Sequence, residues 1–157
     1  LGDGIVDGVR FLDAGGHFGV GSDSNVRIDL KGELCQLDYS QRLRDHSRAA
    51  LASETRSTGR CLLEEAAKGG AQASARGSGV IEIGAYADLL ALGGDAVDLI
   101  GNENDTLLDA WIFAGSEPAV RDVWSAGRHV VKDGRHVERD AIRARYAATI
   151  RSLGDRI

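Results

Sequence analysis

The segment "FGVGSDSN" (18–25) places one acidic side chain, Asp23, between two serines and shortly before an asparagine. A carboxylate in such a cluster can bind a divalent metal or act as a general base, and nearby hydroxyl and amide groups can orient it. An aspartate among serine and asparagine residues also commonly forms a turn or caps the following helix. The local pattern alone favours the turn and leaves a metal-binding or catalytic role open.

The other side chains that bind metals are scattered along the chain. Cys35 and Cys61 form no CxxC pair, and the histidines, at positions 17, 46, 129 and 136, make neither an HxH nor an HExxH motif. This spacing gives no disulfide framework, no zinc ribbon and no complete metal site. We expect both thiols to be buried and reduced, and we assign no catalytic role to any histidine.

Asp23 follows a predicted strand and precedes a predicted helix. Apolar residues recur at helical spacing over 5–16 and again over 28–44. Between them, "HFGVG" (17–21) is the short, nearly all-apolar run that is typical of a strand buried on both faces of a parallel sheet. This order indicates an α/β fold, in which residues just beyond the carboxyl end of a strand face the active site.

The second half of the chain changes from helices to strands. The segment 56–76 predicts one or two helices with a break near Gly69–Gly70. After it we predict a short strand within 79–83, a strand at 87–92 and a helix at 102–115 that is capped by Asn104 or Asp105. Strands at 120–124 and 129–131 follow, with a hairpin turn at Asp133–Gly134. An amphipathic helix at 140–157 ends the chain. The apolar positions of that last helix are Ile142, Tyr146, Ile150 and Leu153.

Composition limits the partners that the chain can have. The 157 residues are 43% hydrophobic, and the formal net charge is −5 with acids and bases interspersed. We find no basic stripe for nucleic acid, no apolar run of about 20 residues for a membrane and no signal peptide, so we expect a cytoplasmic protein without such partners. The sequence contains no methionine and opens on the loop-like "LGDGI", from which we expect the C-terminal piece of a longer protein.

Three stretches together resemble the amidohydrolase superfamily, and within it the N-formimino-L-glutamate deiminase branch. They are "LGDGIVDGVRFLDAGGHFGVGSDSN" (1–25), "GVIEIGAYADLLAL" (79–92), and the pair "DAWIFAG" (109–115) with "VRDVWSAGRHVVKDGRH" (120–136). The first is similar to the passage through the seventh helix and eighth strand of a metal-dependent (β/α)8 barrel. The others are similar to strands that follow the barrel and help to complete a small β-sandwich.

The resemblance implies a fold class and three structural units. The fold class is α/β: the C-terminal portion of a TIM barrel, with its last strand and helices, plus part of a β-sandwich domain. Residues 1–76 would be the end of the barrel, residues 77–137 the sandwich strands with an intervening helix, and residues 138–157 a C-terminal amphipathic helix. The resemblance also implies that the full-length protein forms a homodimer, and we expect this assembly.

The resemblance also implies a zinc-dependent enzyme with a small-molecule substrate. The branch hydrolyses N-formimino-L-glutamate to N-formyl-L-glutamate and ammonia in histidine degradation, with one divalent metal, usually zinc, bound by an HxH pair, a third histidine and the aspartate after the eighth strand. Asp23 matches that aspartate, so the resemblance makes it both a metal ligand and a catalytic residue. The other ligands and the substrate-binding residues would lie upstream, and we therefore expect this segment alone to be inactive.

Two other functions remain open at this point. A related aminohydrolase acting on a purine, pyrimidine or triazine ring would have the same general plan, and the residues that grip its substrate would distinguish it. A non-catalytic binding module, built from a small sandwich and helices, is the alternative from another class. Asp23 separates the enzymes from the module, because only the enzymes need its carboxylate.

Overall fold

The computed structural model describes residues 2–115 and 118–154. Its helices are α1 (Gly8–Asp13), α2 (Leu30–Asp45), α3 (Thr58–Ala73), α4 (Asn104–Asp109) and α5 (Arg139–Gly154). Its strands are β1 (Leu89–Leu92), β2 (Val120–Ser125), β3 (Arg128–Lys132) and β4 (Arg135–His136). A 3-10 turn covers Val97–Leu99, and a π-helical turn at Ala110–Ala114 continues α4. In the part of the chain that the structure describes, no helix is both long and apolar enough to cross a membrane.

Helices α2 and α3 and the π-helical turn pack around one apolar core. Its buried members are Leu34, Leu51, Leu62, Ala66, Leu99, Trp111, Ile112 and Ala119. The helix predicted over 28–44 is confirmed as α2, in which Leu34 is fully enclosed while Leu30 is 42% exposed. Two bonds tie α2 to the π-helical turn, because Cys35 Sγ donates to the Ile112 carbonyl at 3.1 Å and Lys31 Nζ donates to the Gly115 carbonyl at 3.1 Å.

The start of α4 differs from the prediction. Its N-cap is Glu103, and not Asn104 or Asp105. The Glu103 backbone N–H donates to Thr106 Oγ1 at 3.1 Å, which satisfies a donor at the helix start. Asp105 is engaged elsewhere: its carboxylate accepts from the Ser57 N–H at 2.8 Å and from Arg60 Nη1 at 2.6 Å, and so joins α4 to the start of α3.

The strands form one antiparallel sheet in the order β1-β2-β3-β4. Its two hairpin turns each contain two residues with positive φ, namely Ala126–Gly127 (48° and 78°) and Asp133–Gly134 (47° and 72°). Turns of this kind have the twist that flanking antiparallel strands need. The predicted turn at Asp133–Gly134 is therefore confirmed, as are the strands expected near 87–92, 120–124 and 129–131.

Two predicted strands are not formed. The segment 17–21, expected to be a strand buried on both faces, is irregular, and only one side of it, with Phe18 and Val20, packs against the core. A strand needs a neighbour to complete its ladder of hydrogen bonds, and no described residue pairs with this segment. Residues 79–83 are also irregular, with Ile81 and Ile83 exposed. The barrel, the sandwich and the three units assigned from them remain predictions.

Helix α3 runs unbroken through Gly69 and Gly70, where the sequence predicts a break. The two glycines instead allow a close backbone contact with the segment that leads to Asp23. A Cβ atom on Gly69 would lie 2.1 Å from the Phe18 carbonyl oxygen, and a Cβ atom on Gly19 would lie 2.9 Å from Gly70 Cα. Glycine is required here for the approach of one chain segment to another and does not end the helix.

Helix α5 is confirmed, but its apolar stripe is not covered. Ile142, Tyr146, Ile150 and Leu153 are each between 45% and 67% exposed. Residues 155–157, which the predicted helix includes, and residue 1, which the first predicted unit includes, lie outside the described residues.

One carboxylate joins the end of α3 to the sheet. Asp88, just before β1, accepts from Arg76 Nε at 2.6 Å and Arg76 Nη2 at 2.9 Å, and from the Ala126 backbone N–H at 2.7 Å. The Arg76 guanidinium and then the Ala126 N–H hold the pKa of Asp88 well below its usual range. The link is therefore fully charged at neutral pH.

Two polar side chains of α2 are buried with very different surroundings. Gln41 is satisfied, because its Oε1 accepts from the Gly8 N–H at 2.9 Å and its Nε2 donates to the Val6 carbonyl at 2.9 Å. Asp38 is 2% exposed, its Oδ2 lies 3.8 Å from Arg42 Nη1, and its Oδ1 has no hydrogen-bond partner among the described residues. Burial raises the pKa of Asp38, while Arg42 opposes this change and Asp109 adds to it.

We expect Gly69→Ala to destabilise the protein, because the new methyl group would overlap the backbone of Phe18. The free energy of unfolding should fall by about 2 kcal/mol or more, measured by urea denaturation. Gly70→Ala is the matched control in the same helix: a Cβ there meets nothing within 4 Å, so stability should hold or rise by up to about 1 kcal/mol. Equal losses in the two variants would contradict the contact.

We expect the ionisation of Asp38 to lower the free energy of unfolding as pH rises. Its pKa is higher in the folded than in the unfolded chain, so the protonated form favours folding, and that contribution is lost as pH rises from the usual aspartate pKa through the raised value. The stability of Asp38→Asn relative to the wild type should therefore increase between about pH 4 and about pH 7 in urea denaturation. A stability difference that does not change with pH would show that burial does not control this carboxyl.

Candidate active site

Asp23 lies in a tight turn at the end of the irregular segment 17–21. The Asn25 backbone N–H donates to the Ser22 carbonyl at 2.7 Å, which closes the turn, and Asp23 has a φ of 41°. Asparagine and aspartate tolerate this left-handed conformation better than other residues that carry a Cβ. Asp23 thus lies in a turn, as its local pattern predicts, but its side chain does not cap α2, whose N-cap is Asp29. The turn does not compete with a chemical role, since the backbone makes it and the side chain stays available.

The residues after the turn are fixed to the start of α2. Asn25 Nδ2 donates to Glu33 Oε1 at 2.7 Å, and Asp29 caps α2 by accepting from the Lys31 N–H at 3.2 Å. Arg27 Nη2 donates to the same Asp29 carboxylate at 2.6 Å. The amide of Asn25 therefore anchors the loop to the helix, a contact eight residues apart that the sequence does not reveal.

The residues before the turn are fixed to α3. The glycine contact described above seats Phe18 and Gly19 against that helix, and His17 Nδ1 lies 3.4 Å from Glu65 Oε2. The loop carrying Asp23 is thus held on one side by α3 and on the other by α2. This arrangement limits the positions that the Asp23 carboxylate can take.

The Asp23 carboxylate is exposed and unengaged. It takes part in no hydrogen bond or ion pair with any residue in the described ranges. Those same ranges also contain no group of three or more histidine, cysteine, aspartate or glutamate side chains that could hold a metal ion. A free carboxylate suits one ligand of a divalent cation, but zinc takes four ligands, so the described residues do not form a metal site by themselves.

An open, mostly apolar cavity of about 480 Å³ lies beside the segment that leads to the turn. Its lining includes Phe11, Phe18, Val20, Leu37 and the single acid Glu33, and Asp23 is not part of it. Glu33 is the residue that binds the Asn25 amide. The cavity therefore brings no second catalytic group toward Asp23.

Three of the histidines have local structural roles. His46 ends α2 with a φ of 51°. His129 Nε2 lies 2.6 Å from Asp122 Oδ1, and its ring stacks on Trp124 with the centroids 4.5 Å apart. His136 Nδ1 accepts from the Glu138 backbone N–H at 3.1 Å.

Several known proteins are similar to this chain in both sequence and backbone. It is 47% identical over 137 residues to formimidoylglutamate deiminase from Pseudomonas aeruginosa, covering 87% of this chain and 30% of that protein. The crystal structure of an amidohydrolase from Brucella melitensis matches with a TM-score of 0.87 and 42% identity, over 97% of this chain and 33% of that chain. Atrazine chlorohydrolase from Arthrobacter aurescens, complexed with zinc, matches with a TM-score of 0.76 and 28% identity, over 94% and 32% of the two chains. No protein-family model matches the chain.

High identity and a common backbone together decide the family. The chain belongs to the amidohydrolase superfamily. It matches the C-terminal portions of other superfamily members and spans about a third of their length. The resemblance inferred from the three sequence stretches is confirmed, and the homologues of this amidohydrolase segment are hydrolytic enzymes.

We expect Asp23→Asn to leave the stability of this amidohydrolase segment within about 0.5 kcal/mol of the wild type, because the carboxylate has no partner and asparagine accepts the same φ. Asp23→Val should cost about 1 kcal/mol or more, because a β-branched residue is strained at positive φ. Thermal or urea unfolding of both variants tests this. A large loss of stability in Asp23→Asn would mean that the carboxylate is a structural group.

Proposed function

We propose that this chain is the C-terminal part of a zinc-dependent deiminase that converts N-formimino-L-glutamate and water to N-formyl-L-glutamate and ammonia. The observation that carries the proposal is the 47% identity to formimidoylglutamate deiminase over 137 residues. The exposed carboxylate of Asp23 supports it, because a hydrolase of this kind needs an acidic group that is free to bind a cation and exchange a proton.

Asp23 is the residue of this chain that would hold the metal. Zinc is present in the structure of the chlorohydrolase relative, and a carboxylate oxygen is a normal zinc ligand. When bound, the metal would make a water molecule acidic near neutral pH. The remaining ligands would come from residues outside this chain, in agreement with the third of the relatives' length that the chain spans.

The proposed chemistry gives Asp23 a second task. Hydrolysis adds water to the formimino carbon and replaces its C=N bond by C=O, so both protons of the water must reach the departing nitrogen, one as the water adds and one as the C–N bond breaks. The Asp23 carboxylate would take up the first proton and return it to the nitrogen, as a general base and then a general acid. The turn that holds its backbone, and the anchors to α2 and α3 on either side, would limit its movement during this transfer.

A hydrolase acting on a triazine ring is the second candidate. An adenosine deaminase matches almost as well, at 25% identity and a TM-score of 0.75, so a purine enzyme stays open beside it. The match to atrazine chlorohydrolase supports the triazine enzyme. Its identity of 28% is well below the 47% shared with the deiminase, so the deiminase is the preferred proposal. A homodimeric assembly and a cytoplasmic location of the whole protein are further proposals that rest on the family alone.

We expect Asp23→Asn in the full-length protein to remove zinc and activity together. Deiminase activity with N-formimino-L-glutamate, followed by ammonia release, should fall by at least about a thousandfold, because the variant loses both a ligand and a proton-transfer group. Zinc retained after dialysis, measured by atomic emission, should fall in parallel.

Asp13→Asn is the matched control, since Asp13 is another exposed aspartate close to the same segment. It should retain zinc and activity. If the wild-type protein is inactive on N-formimino-L-glutamate but releases chloride from atrazine, the triazine hydrolase replaces the deiminase as the proposed function. Unchanged zinc content in Asp23→Asn would contradict the metal-ligand role under either substrate.

A further inference from the structure

A second cavity, of about 280 Å³, lies between α2, the start of α3 and the end of α4. Its lining consists of Asp38, Arg42, Arg48, Ala49, Thr58, Asp109 and Phe113, and Asp23 is not among these residues. Its volume is just below the range of about 300–1,000 Å³ that is common for small-molecule sites. The cavity thus combines two acids, two arginines, a hydroxyl and one aromatic ring.

The buried acid of this cavity has an unused acceptor. Asp38 is 2% exposed, and its Oδ1 has no hydrogen-bond partner among the described residues. Its other oxygen, Oδ2, lies 3.8 Å from Arg42 Nη1, which is too long for a hydrogen bond. A buried carboxylate oxygen without a donor is costly and rare in folded proteins. The position therefore calls for a hydrogen-bond donor from outside the described residues.

The cationic side of the cavity is also available. Arg42 is 42% exposed and lies over the Tyr39 ring at 5.2 Å, without a direct hydrogen bond to Asp38. Arg48 makes no ion pair with any residue of the described ranges and is exposed. Asp109 is different, because its Oδ1 already accepts from the Gly59 N–H at 2.7 Å. The cavity thus contains one buried acid, Asp38, within 3.8 Å of Arg42, and a second arginine, Arg48, that has no ion pair among the described residues.

We propose that this cavity binds a small zwitterion of the α-amino acid class, with its ammonium group on Asp38 Oδ1 and its carboxylate on Arg42 and Arg48. An ammonium group supplies the donor that Asp38 Oδ1 lacks, and a guanidinium group pairs well with a carboxylate. A bare metal cation is disfavoured because both arginines line the same cavity. The Phe113 ring offers an apolar surface for a short side chain. This inference goes beyond the proposed deiminase function and does not depend on it.

The test uses the full-length protein and three probes that differ in charge. L-Alanine carries both groups, N-acetyl-L-alanine lacks the ammonium group, and L-alaninamide lacks the carboxylate. In isothermal titration we expect L-alanine to bind at least about tenfold more tightly than either derivative, since each loses a hydrogen bond between charged groups. Equal affinities for the three probes, or no binding of L-alanine, would overturn the proposal.

Two variants assign the two ends of the ligand. Asp38→Asn should lower the affinity for L-alanine and L-alaninamide by about tenfold or more and leave the affinity for N-acetyl-L-alanine unchanged. Arg48→Gln should lower the affinity for L-alanine and N-acetyl-L-alanine and leave the affinity for L-alaninamide unchanged. Arg48 is exposed, so Arg48→Gln keeps the test valid if Asp38→Asn fails to fold. Arg143→Gln, an exposed arginine of α5, is the matched control and should bind all three probes as the wild type does. Loss of binding in this control, or none in Arg48→Gln, would contradict the assignment.

Discussion

The contact between two backbones, at Gly69 and Gly70 of α3 and at Phe18 and Gly19, is the constraint on which the candidate site depends. Any side chain at Gly69 would push the two segments apart, because the space is filled by carbonyl and amide atoms that cannot rotate away. The segment held in this way ends in the turn that presents Asp23. A helix that is far away in the sequence thus determines where the catalytic candidate lies.

Asp23, Asp38, Asp88 and Asp105 differ in what surrounds their carboxylates. Asp88 has three donors and is a structural link, and Asp105 joins two helices. Asp23 and the Oδ1 atom of Asp38 have no donor among the described residues, one in water and the other in the interior. Free acceptors of this kind are where a protein can bind something that is not part of the chain. The degree of hydrogen bonding therefore separates structural from candidate functional acids here better than residue type does.

Patterns that depend on neighbours in sequence were predictable, and patterns that depend on distant partners were not. The helical spacing over 28–44 and the Asp133–Gly134 turn are local patterns, because helical period and positive φ act over a few residues. The strand expected at 17–21 failed because its ladder needs a partner that the described chain does not supply. The glycine pair in α3 predicts a break, because composition cannot reveal that another backbone lies against it. Asp23 itself is identified through family resemblance, while Asp38 gives no signal, since an acid on a helix is normally exposed.

The two-residue hairpin turns have a consequence for the order in which the molecule folds. The hairpins β2-β3 and β3-β4 join residues only a few positions apart, so they close at little entropic cost, in about 1–10 μs. The bonds from Lys31 to Gly115 and from Cys35 to Ile112 instead join residues 84 and 77 positions apart. Strands β2, β3 and β4 are thus a locally encoded unit that we expect to form early. Strand β1, whose pairs with β2 lie 28 to 35 positions apart, and the packing of α2 against the π-helical turn should follow.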